Sequence, residues 1–161
     1  MTRCPTEILS LSNNKFTGVV HDAFNGFDSF DTLDVGQNLF SGTIPATLFD
    51  VPSIRLVYFS NNQLTGEIPA NYGDAAQLRD FYVGDNKLQG TIPSIAAGQL
   101  LNLTEFLVQH NNLSGSMPES ICRLRTEAVL TNLWADCDRG NGVMAMAAKI
   151  NCRCCTQCIF P

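Results

Sequence analysis

"FSNNQLTGEIPANYGD", Phe59 to Asp74, sets an Asn, an aliphatic residue, a Gly and an Ile-Pro pair at fixed offsets. "VGQNLFSGTIPATLFD" (Val35 to Asp50) and "VGDNKLQGTIPSIAAG" (Val83 to Gly98) repeat the pattern. "LSNNKFTGVVHDAF" (Leu11 to Phe24) and "VQHNNLSGSMPESI" (Val108 to Ile121) carry looser copies. The shared Asn falls at Asn14, Asn38, Asn62, Asn86 and Asn111, with successive differences of 24, 24, 24 and 25. Self-similarity at a fixed period of this size marks a repeat architecture.

Aligned on the Asn, the units share the template LxxLxxLxLxxNxLxGxIPxxL. In the third copy Val51, Ile54, Val57, Phe59, Leu64, Ile68 and Tyr72 fill the apolar slots; in the fourth, Ala75, Leu78, Phe81, Val83, Leu88 and Ile92 do so. The alternation of Val57 with Phe59, and of Phe81 with Val83, is the two-residue period of a short strand with one buried face. The Asn that follows is expected to turn inward, where its amide bonds backbone groups of neighbouring coils that would be costly to leave unpaired. Gly18, Gly42, Gly66, Gly90 and Gly115, four residues after each Asn, suit a tight bend. Pro45, Pro69, Pro93 and Pro118 preset φ and can open a short helical turn. Each unit is thus one turn of a solenoid, and since no single turn buries its own apolar face, the units must stack. Five coils and a cap at ~4.8 Å per strand make a rod of roughly 30 Å.

The run LxGxIPxxL after the Asn resembles the plant-type leucine-rich repeat of receptor-kinase ectodomains and polygalacturonase-inhibiting proteins. The resemblance covers about residues 6–121, and Val20-His21 in place of Ile-Pro is the departure in the first copy. It implies an α/β solenoid: a right-handed superhelix with a parallel sheet on the concave side and short 3-10 or helical turns on the convex side. It also implies an extracellular, ligand-binding role. The whole chain, 1–161, is expected to be one such domain, with five repeats over 6–121 and a disulfide-rich C-terminal cap over 122–161.

Charge excludes several other roles. Only 16% of the 161 residues are charged and the net charge is -5, whereas a binder of nucleic-acid backbone needs clustered Lys and Arg. No basic amphipathic segment suggests an anionic membrane surface. No apolar run approaches the ~18 residues of a spanning helix, and "MTRCPTEILS" lacks the apolar core of a signal peptide.

Of seven Cys, Cys4 stands alone while Cys122, Cys137, Cys152, Cys154, Cys155 and Cys158 crowd the last quarter. Six in a small irregular segment read as three disulfides formed in an oxidising compartment, closing an end of the stack that would otherwise face water. Sequence alone does not choose among the fifteen connectivities. Cys4 is expected to stay free. The rival is zinc, because Cys152-x-Cys154 and Cys155-x-x-Cys158 have ligand-like spacing, yet no His lies near to complete a set; no metal and no cofactor are expected. "LTNLWADCDRG" (Leu130 to Gly140) keeps part of the strand register, which would put Asp138 where the ladder Asn stood in earlier coils. Cap and tail resemble the Cys-rich C-terminal caps of secreted leucine-rich-repeat proteins of diatoms and related algae.

Catalysis lacks a constellation: His21 and His110 have no nucleophile motif around them, and no Gly-rich phosphate loop follows a strand. No catalytic residue is assigned. Binding has a place, because residues flanking the inward pair of each strand point out of the concave sheet. One column reads Ser10, Asp34, Tyr58, Tyr82, Leu107, Trp134 and the preceding one Ile8, Thr32, Leu56, Asp80, Glu105, Asn132. Tyr58, Tyr82, Leu107 and Trp134 form a line of large exposed groups flanked by Asp34, Asp80, Asp85 and Glu105. A row of exposed aromatics resembles the centre of an interface. The plainer alternative is ring packing between adjacent coils that stabilises the sheet and binds nothing.

Asn102-Leu-Thr104 and Asn112-Leu-Ser114 are sequons, open to N-glycosylation if the chain is secreted. These features lead to an extracellular or cell-surface recognition module that binds a protein, peptide or cell-wall glycan on its concave face and is not an enzyme. The alternatives are a structural or adhesive segment acting by self-association through its N-terminal coil and, last, ice binding, which the mixed columns do not suit. The chain is further expected to be a fragment of a longer secreted or cell-surface protein, because Ile8, Leu9, Leu11 and Phe16 already belong to the stack and no polar cap precedes them.

Overall fold

The structure is a computed structural model that describes residues 7–137 and 150–159. In chain order the elements are β1 (Ile8–Ser10), β2 (Thr17–Val19), β3 (Thr32–Asp34), β4 (Leu39–Ser41), β5 (Leu56–Tyr58), β6 (Asp80–Tyr82), β7 (Gln89–Thr91), β8 (Glu105–Leu107), β9 (Asn112–Ser116), α1 (Glu119–Glu127), β10 (Asn132–Asp136), β11 (Ile150–Asn151) and β12 (Gln157–Ile159). Two 3-10 turns, Ala46–Asp50 and Ala70–Asp74, lie between β4 and β6. A parallel sheet runs β1-β3-β5-β6-β8-β10-β12, so each coil adds one strand in register beside the last. This is the α/β solenoid expected from the period.

The inward pair of each strand builds the core. Val57, Phe59, Phe81 and Val83 are fully buried, as are Phe106 and Val108 one coil on. Phe81 and Phe106 stack with centroids 5.5 Å apart, and Tyr72 lies against both rings. Buried Tyr72 keeps its hydroxyl satisfied by donating to Pro93 O at 2.8 Å, as a buried phenol requires.

The ladder asparagines tie each coil to the one before. Asn62 Nδ2 donates to Phe59 O in its own coil and to Val35 O in the preceding one, both at 3.0 Å. Its Oδ1 accepts from Phe40 N at 2.9 Å. Asn38, Asn86 and Asn111 make the same three kinds of bond. Asn14, in the first coil, is exposed, and among the described residues its Nδ2 donates only within its own coil, to Leu11 O and Ser12 O. The residue before each ladder Asn has positive φ: Asn13, Gln37, Asn61, Asp85 and His110. That left-handed step turns the next side chain inward; Asn and Asp tolerate it best, and no sequence rule applied above had marked it. Gly66 has φ +77°, and a Cβ there would stand 2.8 Å from Thr43 Cγ2, so this bend takes only glycine.

Two features depart from the expectations. Pro45, Pro69 and Pro118 open helical turns, but Pro93 does not. In that unit side chains replace helical partners: Ile95 N donates to Ser120 Oγ and Ala96 N to Gln99 Oε1. Second, LxG segments pair as strands of their own, β2 with β4 and β7 with β9, and β11 of the cap adds beside β9. Separately, helix α1 runs across residues 121 and 122 and so joins the last repeat to the cap.

The end of the stack is closed. β12 extends the large sheet beside β10 and β11 extends the small one beside β9, with Ile150 buried against the last coil. Cys122 of α1 bonds Cys154, Cys137 bonds Cys158 of β12, and Cys152 bonds Cys155. All six cap cysteines are therefore in disulfides, which leaves no thiolate there for zinc. Asp136, buried after Trp134, accepts from Asn111 N through Oδ2 at 2.9 Å. In earlier coils the corresponding N–H donates to a backbone carbonyl of the next coil, as Asn86 N does to His110 O. Cys4 and Asp138 lie outside the described residues. At the opposite edge Ile8, Phe16 and Val19 are exposed.

Candidate ligand-recognition face

Strand pairing sets the outward side chains in two rows. Asp34, Tyr58, Tyr82, Leu107 and Trp134 are consecutive register partners, and Gln157 of β12 follows Trp134. Thr32, Leu56, Asp80, Glu105 and Asn132 form the second row. Every row member from Leu56 and Asp34 through Asn132 and Trp134 is half-buried, because parallel strands ~4.8 Å apart press their outward side chains together.

The rows are cross-linked on the diagonal. Tyr58 Oη donates to Asp80 Oδ2 at 3.0 Å, one strand further along the sheet, and Tyr82 Oη donates to Glu105 Oε2 in the same way. The second carboxylate oxygen is occupied in each case, Asp80 Oδ1 by Thr104 Oγ1 at 2.7 Å and Glu105 Oε1 by Asn132 Nδ2 at 3.1 Å. The rings of Tyr58 and Tyr82 stand 4.7 Å apart, tilted by 52°. Burial, then the hydrogen bond to a carboxylate, then the charges of nearby acids push both phenols well above their ordinary pKa. They are neutral donors throughout the physiological range. Asp34 accepts from Ser10 Oγ and from Gly36 N.

Of the eight candidate face residues, the structure brings together seven: Asp34, Tyr58, Asp80, Tyr82, Glu105, Leu107 and Trp134. Asp85 stands apart, past the end of β6, where its Oδ1 lies 2.7 Å from His110 Nδ1. Gln109 was not singled out from the sequence. It lies two residues beyond Leu107, is 9% exposed, and has an Oε1 without a hydrogen-bond partner among the described residues. Its amide lies over Gly84, where a Cβ would meet Nε2 at 2.5 Å. The signal in the sequence was glycine: the column Ser12, Gly36, Ser60, Gly84 is small until Gln109.

The sequons lie elsewhere. Asn102 is exposed in a turn and donates to Ala76 O at 3.0 Å, and exposed Asn112 begins β9. Among the described residues no helix is long and apolar enough to cross a membrane.

Family models described as leucine rich repeat match residues 6–64 and 102–124. Among curated proteins none matches the chain. Similar solved structures include the LRR ectodomain of the receptor kinase GASSHO1/SCHENGEN3 from Arabidopsis thaliana, in complex with CASPARIAN STRIP INTEGRITY FACTOR 2. It is 32% identical, with a TM-score of 0.72 over 81% of this chain and 16% of that one. The Arabidopsis receptor kinase HAESA, in complex with the peptide hormone IDA and the co-receptor SERK1, is 32% identical, with a TM-score of 0.74 over 79% of this chain and 21% of that one. The BIR2 ectodomain from Arabidopsis thaliana is 31% identical, with a TM-score of 0.57 over 65% of this chain and 54% of that one. The chain thus spans between 16% and 54% of the length of these relatives. With an Asn ladder bridging its coils, a Cys-rich cap, and repeat models matching both ends of the stack, the chain belongs to the leucine-rich repeat family.

Proposed function

We propose that the chain is an extracellular recognition module that takes a protein or peptide ligand across the concave face of its large sheet, without catalysing a reaction. The observation that carries this reading is the row Tyr58, Tyr82, Leu107, Trp134. Four large side chains are held half-exposed on consecutive strands by a rigid backbone, and tyrosine and tryptophan are enriched among residues that dominate binding energy. Two similar ectodomains were solved with CASPARIAN STRIP INTEGRITY FACTOR 2 and with the peptide hormone IDA, which supports a peptide ligand here. Disulfides in the cap agree with an oxidising compartment. The contact residues are Asp34, Tyr58, Asp80, Tyr82, Glu105, Leu107 and Trp134, with Asp85 at the rim; the five repeats and the cap act as one domain, and Asn102 and Asn112 accept glycans.

The test is selection from a displayed peptide library, followed by titration of the selected peptide against variants. Tyr82→Ala and Trp134→Ala are expected to weaken binding at least about tenfold each, the equivalent of about 1.4 kcal/mol, while Gln77→Ala, an exposed residue between coils, leaves it unchanged. Equal effects at all three positions would remove the concave face as the site.

A further inference from the structure

The open side of the sheet carries charge that the described residues do not neutralise. Asp34, Asp80 and Glu105 are served by neutral donors: the Ser10 hydroxyl and Gly36 N–H, the Tyr58 and Thr104 hydroxyls, and the Tyr82 hydroxyl with the Asn132 amide. Among the described residues no Lys, Arg or His forms an ion pair with any of the three. Arg55 is paired with Asp31, His110 with Asp85 and Arg123 with Glu119. Asp80 and Glu105 are direct register partners, a placement in which like charges repel. They nonetheless stand together, half-buried, against two tyrosines.

Those tyrosines supply the second half of a recognition site. An aromatic ring is electron-rich on its face and attracts a cation there. Tyr58 and Tyr82 present two such rings 4.7 Å apart, and their hydroxyls are anchored to the same two carboxylates. Aromatic rings beside carboxylates that no described cation pairs are the complement of a guanidinium, which is planar, permanently charged and carries five donors. A metal ion fits less well, since both oxygens of Asp80 and of Glu105 already accept hydrogen bonds.

We infer that the concave face contains a cation-selective subsite, formed by Tyr58, Tyr82, Asp80 and Glu105, which takes an arginine side chain of an extended peptide ligand. The inference rests on the reading of this face as a ligand surface and deepens it by naming the chemistry of the ligand. The guanidinium lies over the tyrosine pair, Asp80 and Glu105 supply the opposing charge, and Leu107 and Trp134 continue the strip for neighbouring ligand side chains.

The probe is a dye-labelled Gly/Ser peptide with one central Arg, compared by fluorescence anisotropy with the same peptide bearing citrulline or Glu instead. Citrulline keeps the shape of arginine and removes its charge. The Arg peptide should bind at least about tenfold more tightly than either, with affinity that falls as salt rises. The double variant Asp80→Asn with Glu105→Gln retains an acceptor for each tyrosine hydroxyl and should lose that preference. Equal binding of the Arg and citrulline peptides to the unaltered protein overturns the inference, as does failure of the Arg peptide to bind or an undiminished preference in a folded double variant. None of these results touches the broader reading, which stands or falls on whether a library-selected peptide depends on Tyr82 and Trp134.

Discussion

Tyr58 donates its hydroxyl hydrogen to Asp80 across a strand boundary at 3.0 Å, and Tyr82 bears the same relation to Glu105 one coil later. The repetition follows from the period. Residues one unit apart are register partners, so Tyr58 and Tyr82 stand in the same relation to the next strand, where the sequence places Asp80 and Glu105. Each bond braces two coils through side chains, in addition to the backbone ladder. The same bonds hold the two rings in place on the open face, so a structural brace and the proposed binding surface share their atoms.

Tyr58→Phe removes the donor and leaves Asp80 Oδ2 short of one partner. The expected loss is about 1 kcal/mol of stability, the net worth of one intramolecular hydrogen bond. Urea unfolding followed by far-ultraviolet circular dichroism measures it. An unchanged midpoint would show that water replaces the tyrosine at no cost.

Asn62→Ala and Asn86→Ala strike deeper. Asn62 bonds Phe40 N, Val35 O and Phe59 O together; truncation leaves Phe40 N unpaired beside the core, while Val35 O keeps Asn38 Nδ2 and Phe59 O keeps Asn86 Nδ2. The expected cost in each variant is ~1–3 kcal/mol for the one backbone N–H left unpaired, Phe40 N or Leu64 N. Either variant unfolding at the unaltered urea midpoint would refute the ladder.

Alkaline titration reads all three tyrosines at once, because the chain has three and burial raises each above its ordinary pKa of about 10. In the folded protein phenolate absorbance should stay low as pH passes that value, then rise together with unfolding. Since the folded pKa exceeds the unfolded one, the folded state binds more protons above about pH 10. This contribution to stability is complete below the unfolded pKa and is lost as pH climbs toward the folded value. Native phenolate at the ordinary pKa would mean that the Tyr58 and Tyr82 hydroxyls are free in solution.

The three disulfides should differ in worth. Cys122–Cys154 and Cys137–Cys158 span 32 and 21 residues, Cys152–Cys155 only 3. Loop-closure entropy assigns about 3–4 kcal/mol to each of the first two and about 2 kcal/mol to the third. Paired Cys→Ser variants, ranked by urea midpoint, should follow that order. Mass mapping of unreduced digests checks the connectivity itself, and any other pairing would require a different path for the cap.

The period of the Asn residues, the inward pair of each strand, the bend at Gly66 and the set of cap cysteines were all legible in the sequence. Each is a local requirement that every unit must meet: a pleat alternates side chains, a left-handed bend excludes Cβ, a lone apolar coil cannot remain exposed to water. The outward rows were legible for the same reason, since alternation that buries Val57 and Phe59 must expose Tyr58. What one coil does to the next was decided only by the tertiary structure. The partner of Cys122, the pairing of the LxG strands β7 and β9 with β11 of the cap, and Asp136 receiving the Asn111 N–H all join atoms more than twenty residues apart. So does the diagonal from Tyr58 to Asp80. Such contacts depend on the lateral offset and tilt at which one coil settles on another, set by the packing of Phe81 on Phe106 and the other core side chains together.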